Sequence, residues 1–181
     1  MRHAARTRLV IVAVLPFLLV AVVLFLAKRV QRDAPDNVVR LADVPAPQAG
    51  SPECGKLLGE LPQRLGPFTR AALADPAPAG AAGWRGAKGE LVELHCGVPR
   101  PDELRRDAVF QEVSADQSLP AVKWLRVGDE AGRAEQTWVA VDRPVYIRLS
   151  YDPGVGTTAP VQGVSEAVAK ALPAQNPDYG N

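Results

Sequence analysis

The residues in this chain most able to bind a metal or take part in catalysis are two cysteines, Cys54 and Cys96, and two histidines, His3 and His95. A structural zinc site needs four ligands, commonly supplied by CxxC pairs, and the sequence contains no such pair. His95 and Cys96 are neighbours on a predicted strand, so their side chains point to opposite faces and cannot form a Cys–His dyad. We therefore predict no metal, no cofactor and no cysteine-based catalysis, and we interpret His95 as a surface or half-buried strand residue.

Serine-based or carboxylate-based catalysis is not favoured either. The sequence has no GxSxG and no S-x-x-K motif, which are common settings of a nucleophilic serine. The acidic pairs Asp102-Glu103 and Asp129-Glu130 fall in predicted loops, where solvated surface charge explains them better than acid–base chemistry. We predict that the protein is not an enzyme, and a cell-wall hydrolase is the least favoured alternative.

The segment from Gly154 to Thr158, GVGTT, precedes the last predicted helix. Backbone N–H groups at a helix N-terminus can hold an anion, but a phosphate loop would also need a lysine nearby. Capping by Thr157 or Thr158, followed by Pro160, explains the segment without a ligand, and we prefer this interpretation.

Trp84 and Arg143 are the two residues with possible recognition roles. Trp84 lies in a predicted glycine-rich loop at residues 75–89, where a tryptophan either packs over the edge of the core or anchors a partner. Arg143 could offer a bidentate donor to a carboxylate or phosphate, or it could simply end a hairpin together with Pro144. Both pairs of alternatives stay open at the level of sequence.

Both cysteines lie on predicted apolar faces. Cys54 shares a helical stripe of i, i+3, i+4, i+7 spacing with three leucines, and Cys96 alternates with Val92 and Leu94 on one side of a strand. Both thiols should therefore point into one core, either as a disulfide or as two free buried cysteines. A bridge would close a loop of about 43 residues and would stabilise the fold by about 4 kcal/mol in the chain-entropy model.

Nineteen consecutive uncharged residues run from Leu9 to Ala27. A helix of that length rises roughly 28 Å, close to the hydrocarbon thickness of a bilayer, and no small-residue cleavage pattern follows it. We predict an uncleaved single-pass membrane anchor, with a cleaved signal peptide as the alternative. Basic residues flank both ends, so the positive-inside rule does not fix the orientation. An isolated cysteine pair after an anchor favours an oxidising, extracytoplasmic location for the remainder of the chain.

The charge of the chain is unevenly distributed. From Asp33 onward there are 15 Lys and Arg against 20 Asp and Glu, although the whole chain has a formal net charge of +1. An acidic domain with few aromatic residues argues against nucleic-acid binding. The basic residues beside the apolar run suit contact with anionic lipid head groups. The predicted partners are therefore the lipid bilayer and other envelope or membrane proteins.

Helix and strand signals occupy most of the region after the anchor. Ser51-Pro52 is a helix start signal, and that helix ends before Pro62. A second helix, with an apolar stripe, is predicted from about Pro160 to Leu172. Strands are predicted at residues 38–41, 68–73, 91–96, 109–113, 122–127, 137–141 and 145–151.

These signals predict an α+β fold. An N-terminal single transmembrane helix is followed by one small domain with a mostly antiparallel four- to five-stranded sheet and two helices. The chain is predicted to divide into a basic N-terminus (1–8), the transmembrane anchor (9–27), a basic collar and Pro/Ala-rich linker (28–50), a globular domain (51–173) and a flexible tail (174–181).

Several segments resemble a known family. They are Cys54–Pro62, Gly83-Trp84, the strand that ends Leu94-His-Cys96-Gly-Val-Pro99, Val122–Leu125 and Arg143–Leu149. Together they are similar to an uncharacterised actinobacterial family of secreted or membrane-anchored proteins, the domain of unknown function 3515. The cysteine pair, with CGVP after the second cysteine, is the most specific part. The resemblance implies an anchored, exported domain with a Cys54–Cys96 bridge and brings no established activity.

Two functions are consistent with these observations. The first is a non-enzymatic, membrane-anchored protein of the cell envelope that binds another envelope component. The alternative is an extracytoplasmic small-ligand-binding or sensor domain with a pocket near Trp84 and Arg143.

Overall fold

The computed structural model describes residue 20 and residues 38–180, apart from 115, 129–135, 153–154 and 156–157. The predicted membrane span from Leu9 to Ala27 lies outside this part of the chain, except for Val20. Among the described helices, none has both the length and the apolar character needed to cross a bilayer.

The described residues form two helices and nine strands. The strands are β1 (Val38–Val39), β2 (Arg64–Leu65), β3 (Phe68–Leu73), β4 (Ala81–Arg85), β5 (Leu91–Val98), β6 (Phe110–Val113), β7 (Val122–Val127), β8 (Gln136–Ala140) and β9 (Tyr146–Tyr151). The helices are α1 (Pro52–Glu60), which precedes β2, and α2 (Ala159–Ala171), which follows β9.

All nine strands join one mixed sheet in the order β1-β3-β4-β5-β9-β8-β7-β6, and β2 pairs with β3 beside this path. The pairing is antiparallel except between β1 and β3, which are parallel. The predicted four- to five-stranded sheet is therefore wrong. Two of the strands have only two residues, too few to show a period of two in sequence, and β4 lies where a loop was predicted.

Helix α1 begins as the sequence predicts. The Ser51 side chain accepts a hydrogen bond from the Cys54 backbone N–H at 3.2 Å, and a proline occupies the first turn. The helix ends at Leu61, because Pro62 has no N–H to continue the hydrogen-bond pattern. Its buried face carries Cys54 and Leu57 into the core.

Both helices cover one face of the sheet. The main core lies between the helices and the sheet. It combines the apolar stripes of both helices with alternate residues of β4, β5, β7, β8 and β9. The four predicted stripe residues of α2, Val161, Val164, Val168 and Leu172, are all buried there. Within this core a disulfide joins Cys54 of α1 to Cys96 of β5, which confirms the predicted bridge.

The other face of the sheet is covered as well. Two smaller apolar clusters lie on it, one near β1 and β3 and one near β7 and β8. Residues from the predicted linker, such as Leu41 and Val44, and Tyr179 from the predicted flexible tail pack against these clusters. The packed domain therefore begins at Val38 and includes the tail, because the sheet carries apolar side chains on both faces.

The CGVP motif has a structural explanation. Gly97 follows the disulfide cysteine at an irregularity in the β5–β9 pairing and has a φ of +82°. A Cβ on Gly97 would lie 2.3 Å from the backbone carbon of Gln48, and Gln48 N–H donates to the Gly97 carbonyl at 3.1 Å. Glycine is therefore required here both by backbone conformation and by the close approach of the turn that leads into α1.

Candidate functional site

Trp84 is a core residue and not a loop residue. It lies on β4 with its side chain fully buried, and its Nε1 donates to the Pro62 carbonyl at 2.9 Å. The guanidinium carbon of Arg70 lies 4.9 Å from the centre of the Trp84 ring system, a cation–π distance. The structure therefore does not support a recognition role for Trp84.

Arg143 is also buried, with 1% of its surface exposed. Its Nη1 lies 2.8 Å from a carboxylate oxygen of Asp142 and donates to the Asp142 carbonyl, while its Nη2 donates to the Ala121 carbonyl at 3.2 Å. These partners hold the β8–β9 turn against the segment before β7. Arg143 is committed to internal contacts and, like Trp84, is not placed to receive a ligand.

His95 and Cys96 point to opposite faces of β5, as predicted. Cys96 is in the main core, and His95 lies on the other face with only 1% of its surface exposed. The surface or half-buried position predicted for His95 is therefore wrong, since the second face of the sheet is covered. In the described part of the chain no group of three or more His, Cys, Asp and Glu residues could hold a metal ion.

The remaining sequence candidates are only partly described. Asp129 and Glu130 lie outside the described residues, as does most of the Gly154–Thr158 segment. Thr158 occupies the N-cap position of α2 without a side-chain capping hydrogen bond. Asp102 and Glu103 are exposed, and Glu103 accepts a hydrogen bond from the Gly128 N–H at 3.1 Å.

The described residues form a cleft of about 720 Å³, which we call the edge cleft. It is lined by residues of β6, the last strand of the sheet, of β8 and β9, and of the start of α2. Its walls combine amide, hydroxyl and apolar groups with a single carboxylate. The lining residues are Gln111, Glu112, Val113, Ser114, Gln136, Trp138, Tyr151, Val155, Thr158, Val161 and Gln162.

Trp138 and Tyr151 form a linked aromatic pair in the edge cleft. The Trp138 indole N–H donates to the Tyr151 hydroxyl at 3.0 Å, which fixes the orientation of both rings. Burial raises the pKa of the Tyr151 phenol, and the hydrogen bond from Trp138 partly opposes that shift. Tyr151 therefore stays neutral at physiological pH and can donate its own proton to a bound group.

The outer edge of β6 is the second feature of the cleft. This strand pairs only with β7, and no other strand of the described chain pairs with its outer side. Four consecutive residues, Gln111 to Ser114, line the cleft. Successive side chains of a strand point to opposite faces of the sheet. Because consecutive residues of β6 line the same cleft, the edge of this strand forms part of the cleft wall.

A second concave region adjoins a patch of polar residues on the face of the sheet opposite the helices, and two of these residues, Thr137 and Arg148, line it. Antiparallel pairing aligns Glu93 with Ser150 and Ser150 with Thr137, and in the next row it aligns His95 with Arg148. These five residues, which we call the polar patch, share one face. All are buried except Arg148, which is half-buried.

The polar patch is only partly satisfied internally. Glu93 accepts from the Ala42 N–H at 3.1 Å and lies 3.5 Å from His95 Nε2. In contrast, His95 Nδ1 and Arg148 Nε are buried without a hydrogen-bond partner in the part of the chain that the structure describes. Most buried polar atoms in proteins are paired, so this patch differs from an ordinary sheet surface.

Sequence reasoning missed both regions, and the available signals were weak. Trp138, Gln136 and Gln162 are separated along the chain and meet only through strand order. The alternation of apolar and polar residues in β9 predicts one buried face and one solvent-exposed face, whereas the structure covers both faces. The presence of Arg148 and Ser150 on the second face, opposite His95, was the one signal that could have suggested the polar patch.

Comparison with known proteins gives one match. A family model described as "Protein of unknown function (DUF3515)" matches residues 13–177. No curated protein and no solved structure matches this chain.

Proposed function

The chain belongs to the DUF3515 family, and for it we propose a non-enzymatic protein-binding role, in which the edge cleft receives an extended segment of a partner protein. The observation that carries this proposal is the exposure of the β6 edge along the wall of the cleft. An unpaired strand edge offers backbone N–H and C=O groups to an added strand, and an adjacent cleft can take its side chains.

The chemistry of the cleft limits what the partner segment carries. Among the described residues of its lining, Glu112 is the only charged one, so a strongly anionic segment would be disfavoured. The amides of Gln111, Gln136 and Gln162 each supply donors and an acceptor, and Trp138 gives an amphipathic surface. We propose a neutral or weakly basic segment with a polar or aromatic side chain directed into the cleft.

The arrangement of polar residues supports a binding role over a hydrolytic one. A Ser–His pair would need a hydrogen bond from the serine hydroxyl to the imidazole. His95 Nε2 faces Glu93, and among the described residues His95 Nδ1 has no hydrogen-bond partner, so His95 is not positioned to activate Ser150.

The disulfide supports an extracytoplasmic location for this binding. Structural disulfides persist in oxidising compartments and are rare in the cytosol, and the Cys54–Cys96 bridge joins two elements of the main core. We propose that the domain binds its partner within the cell envelope.

The proposal is tested by cross-linking in living cells. A photoreactive residue replaces Gln111 or Gln162 in separate full-length variants, and the same residue at the exposed Gln63, outside the cleft, is the matched control. We expect discrete adducts from positions 111 and 162 but not from 63, with the linked peptide of the partner running past both positions.

Proline substitutions in β6 decide whether the strand edge is used. Successive N–H groups of a strand point alternately to its two sides, so Gln111→Pro and Glu112→Pro differ. The proline that replaces an N–H directed toward β7 removes a hydrogen bond to β7 and lowers the melting temperature. The proline that replaces an outward N–H only blocks the outer edge. The stable variant should lose the adducts. Adducts that persist in this folded variant, or that form equally at position 63, would contradict the proposal.

A further inference from the structure

Independently of the edge cleft, we propose that Arg148, a residue of the polar patch, forms a second site, which binds a small organic carboxylate. A cavity of about 450 Å³ is lined by two residues of the patch, Thr137 and Arg148. Thr137, Val139 and Arg148 form part of its wall. The register of β8 and β9 places all three side chains on the same face of the sheet.

Arg148 is the residue that points to an anion. Among the described residues it has neither an ion-pair partner nor a hydrogen-bond acceptor, and its Nε is buried. Removing a guanidinium from water is costly unless a charge and hydrogen bonds compensate. Its planar fork of N–H donors matches the two oxygens of a carboxylate.

The other charged groups near the cavity are already engaged or exposed. Arg100 donates to the main-chain carbonyls of Leu104, Asp178 and Tyr179, so it holds the C-terminal segment in place. Asp102 and Glu103 are exposed members of the lining, and Glu103 accepts from the Gly128 N–H. These acidic side chains disfavour a multiply charged anion. Because Arg100 is engaged, Arg148 is the cation available to a ligand among the described residues of the lining.

The remainder of the lining is largely apolar. It comprises Val44, Pro45, Val98, Pro99, Pro101, Val127 and Val139. A ligand that fits this surface has an apolar body and one anionic end, because apolar walls contribute affinity through buried area while a few polar groups fix orientation. This composition favours an organic monocarboxylate over inorganic phosphate.

Titration calorimetry of the full-length protein in detergent micelles tests the inference, with hexanoate as the probe. Hexanamide, which has the same body without the charge, and inorganic phosphate, which has the charge without the body, are the matched ligands. We expect heat of binding from hexanoate and none from either of the other two. Phosphate binding as tight as hexanoate binding, or equal binding of hexanamide, would overturn the proposal.

Three variants test the role of Arg148 itself. Arg148→Gln should weaken hexanoate binding at least about tenfold, the scale of a charge-assisted hydrogen bond, and Thr137→Val should weaken it by a smaller factor. Arg126→Gln, which removes an exposed arginine on β7, two strands away from β9, should leave binding unchanged.

Melting without ligand separates binding from a structural role. Arg148→Gln should melt at the same temperature as the wild type or higher, since it removes a half-buried charge without a partner. A folded Arg148→Gln protein that binds hexanoate normally, or a marked loss of melting temperature without ligand, would show that Arg148 is not a ligand-binding residue.

Discussion

Asp142 and Arg143 form a buried ion pair at the turn between β8 and β9. Asp142 is buried, with 3% of its surface exposed, and its carboxylate lies 2.8 Å from Arg143 Nη1. Burial raises the pKa of the Asp142 carboxyl above its ordinary value, and the neighbouring Arg143 charge only partly opposes this. The free-energy cost of burying the ionised carboxylate therefore exceeds the electrostatic stabilisation that the nearby guanidinium provides.

The pH dependence of stability follows from that direction. A carboxyl whose pKa is raised in the folded state binds more protons folded than unfolded, so its contribution to stability falls as pH rises from the ordinary Asp value of 3.8 through the folded pKa. Asp142→Asn imitates the protonated form. We expect its stability relative to the wild type to be more favourable at pH 7 than at pH 4, measured by urea unfolding at both pH values.

A control separates this effect from the general loss of carboxylate charge. Asp107→Asn removes an exposed carboxylate and should show no such trend. If the difference between Asp142→Asn and the wild type did not vary with pH, burial would not be the dominant influence on this carboxyl.

At the scale of elements, the disulfide is the covalent link between helix and sheet. It joins α1 to the long central strand β5 across a sequence separation of 42 residues. The turn before α1 is positioned by its close approach to Gly97, the residue after Cys96. The family motif CGVP therefore combines a covalent link with the backbone conformation that allows the link to form.

Loss of the bridge should destabilise the domain substantially. In the double variant Cys54→Ala, Cys96→Ala, we expect the free energy of unfolding to fall by about 4 kcal/mol, the chain-entropy value for a loop of this length. Denaturant unfolding of the variant, compared with the wild type before and after reduction, measures this. Reduced wild type should resemble the variant, and an unchanged stability in both would mean that the bridge contributes little.

At the scale of the whole molecule, both ends of the described chain help to cover the sheet. The segment from Val38 packs over β3 and β4, and the C-terminal segment packs near β7 and β8. Gln175 donates from its backbone N–H to the Asp142 carbonyl at 3.0 Å and from its side chain to the Arg143 carbonyl at 2.7 Å. The tail predicted to be flexible is therefore part of the packed structure.

Truncation of the tail tests this role. Removing residues 175–181 deletes the Gln175 hydrogen bonds, the Asp178 carbonyl contact with Arg100 and the packing of Tyr179. At about 1 kcal/mol for each such contact, we expect a loss of about 2–4 kcal/mol in denaturant unfolding. Asn176→Ala, which alters an exposed side chain in the same segment, is the control. A truncated protein as stable as this control would show that the tail does not stabilise the sheet.

The sequence by itself determined the local features. The Ser51-Pro52 start of α1, the apolar stripe of α2, strand β7 and the burial of both cysteines were all predictable, because capping and periodicity act over a few residues. The family resemblance added the Cys54–Cys96 pairing, which the spacing alone left open.

Only the tertiary structure decided the number of strands and the location of the candidate sites. Strand β4 could not be predicted from its sequence, which is rich in glycine and alanine, because its burial depends on pairing with β3 and β5. Trp84 and Arg143, both expected to be possible recognition residues, proved to be internal. The edge cleft and the polar patch are each assembled from strands distant in sequence, and strand order is a property of long-range pairing that local patterns do not encode.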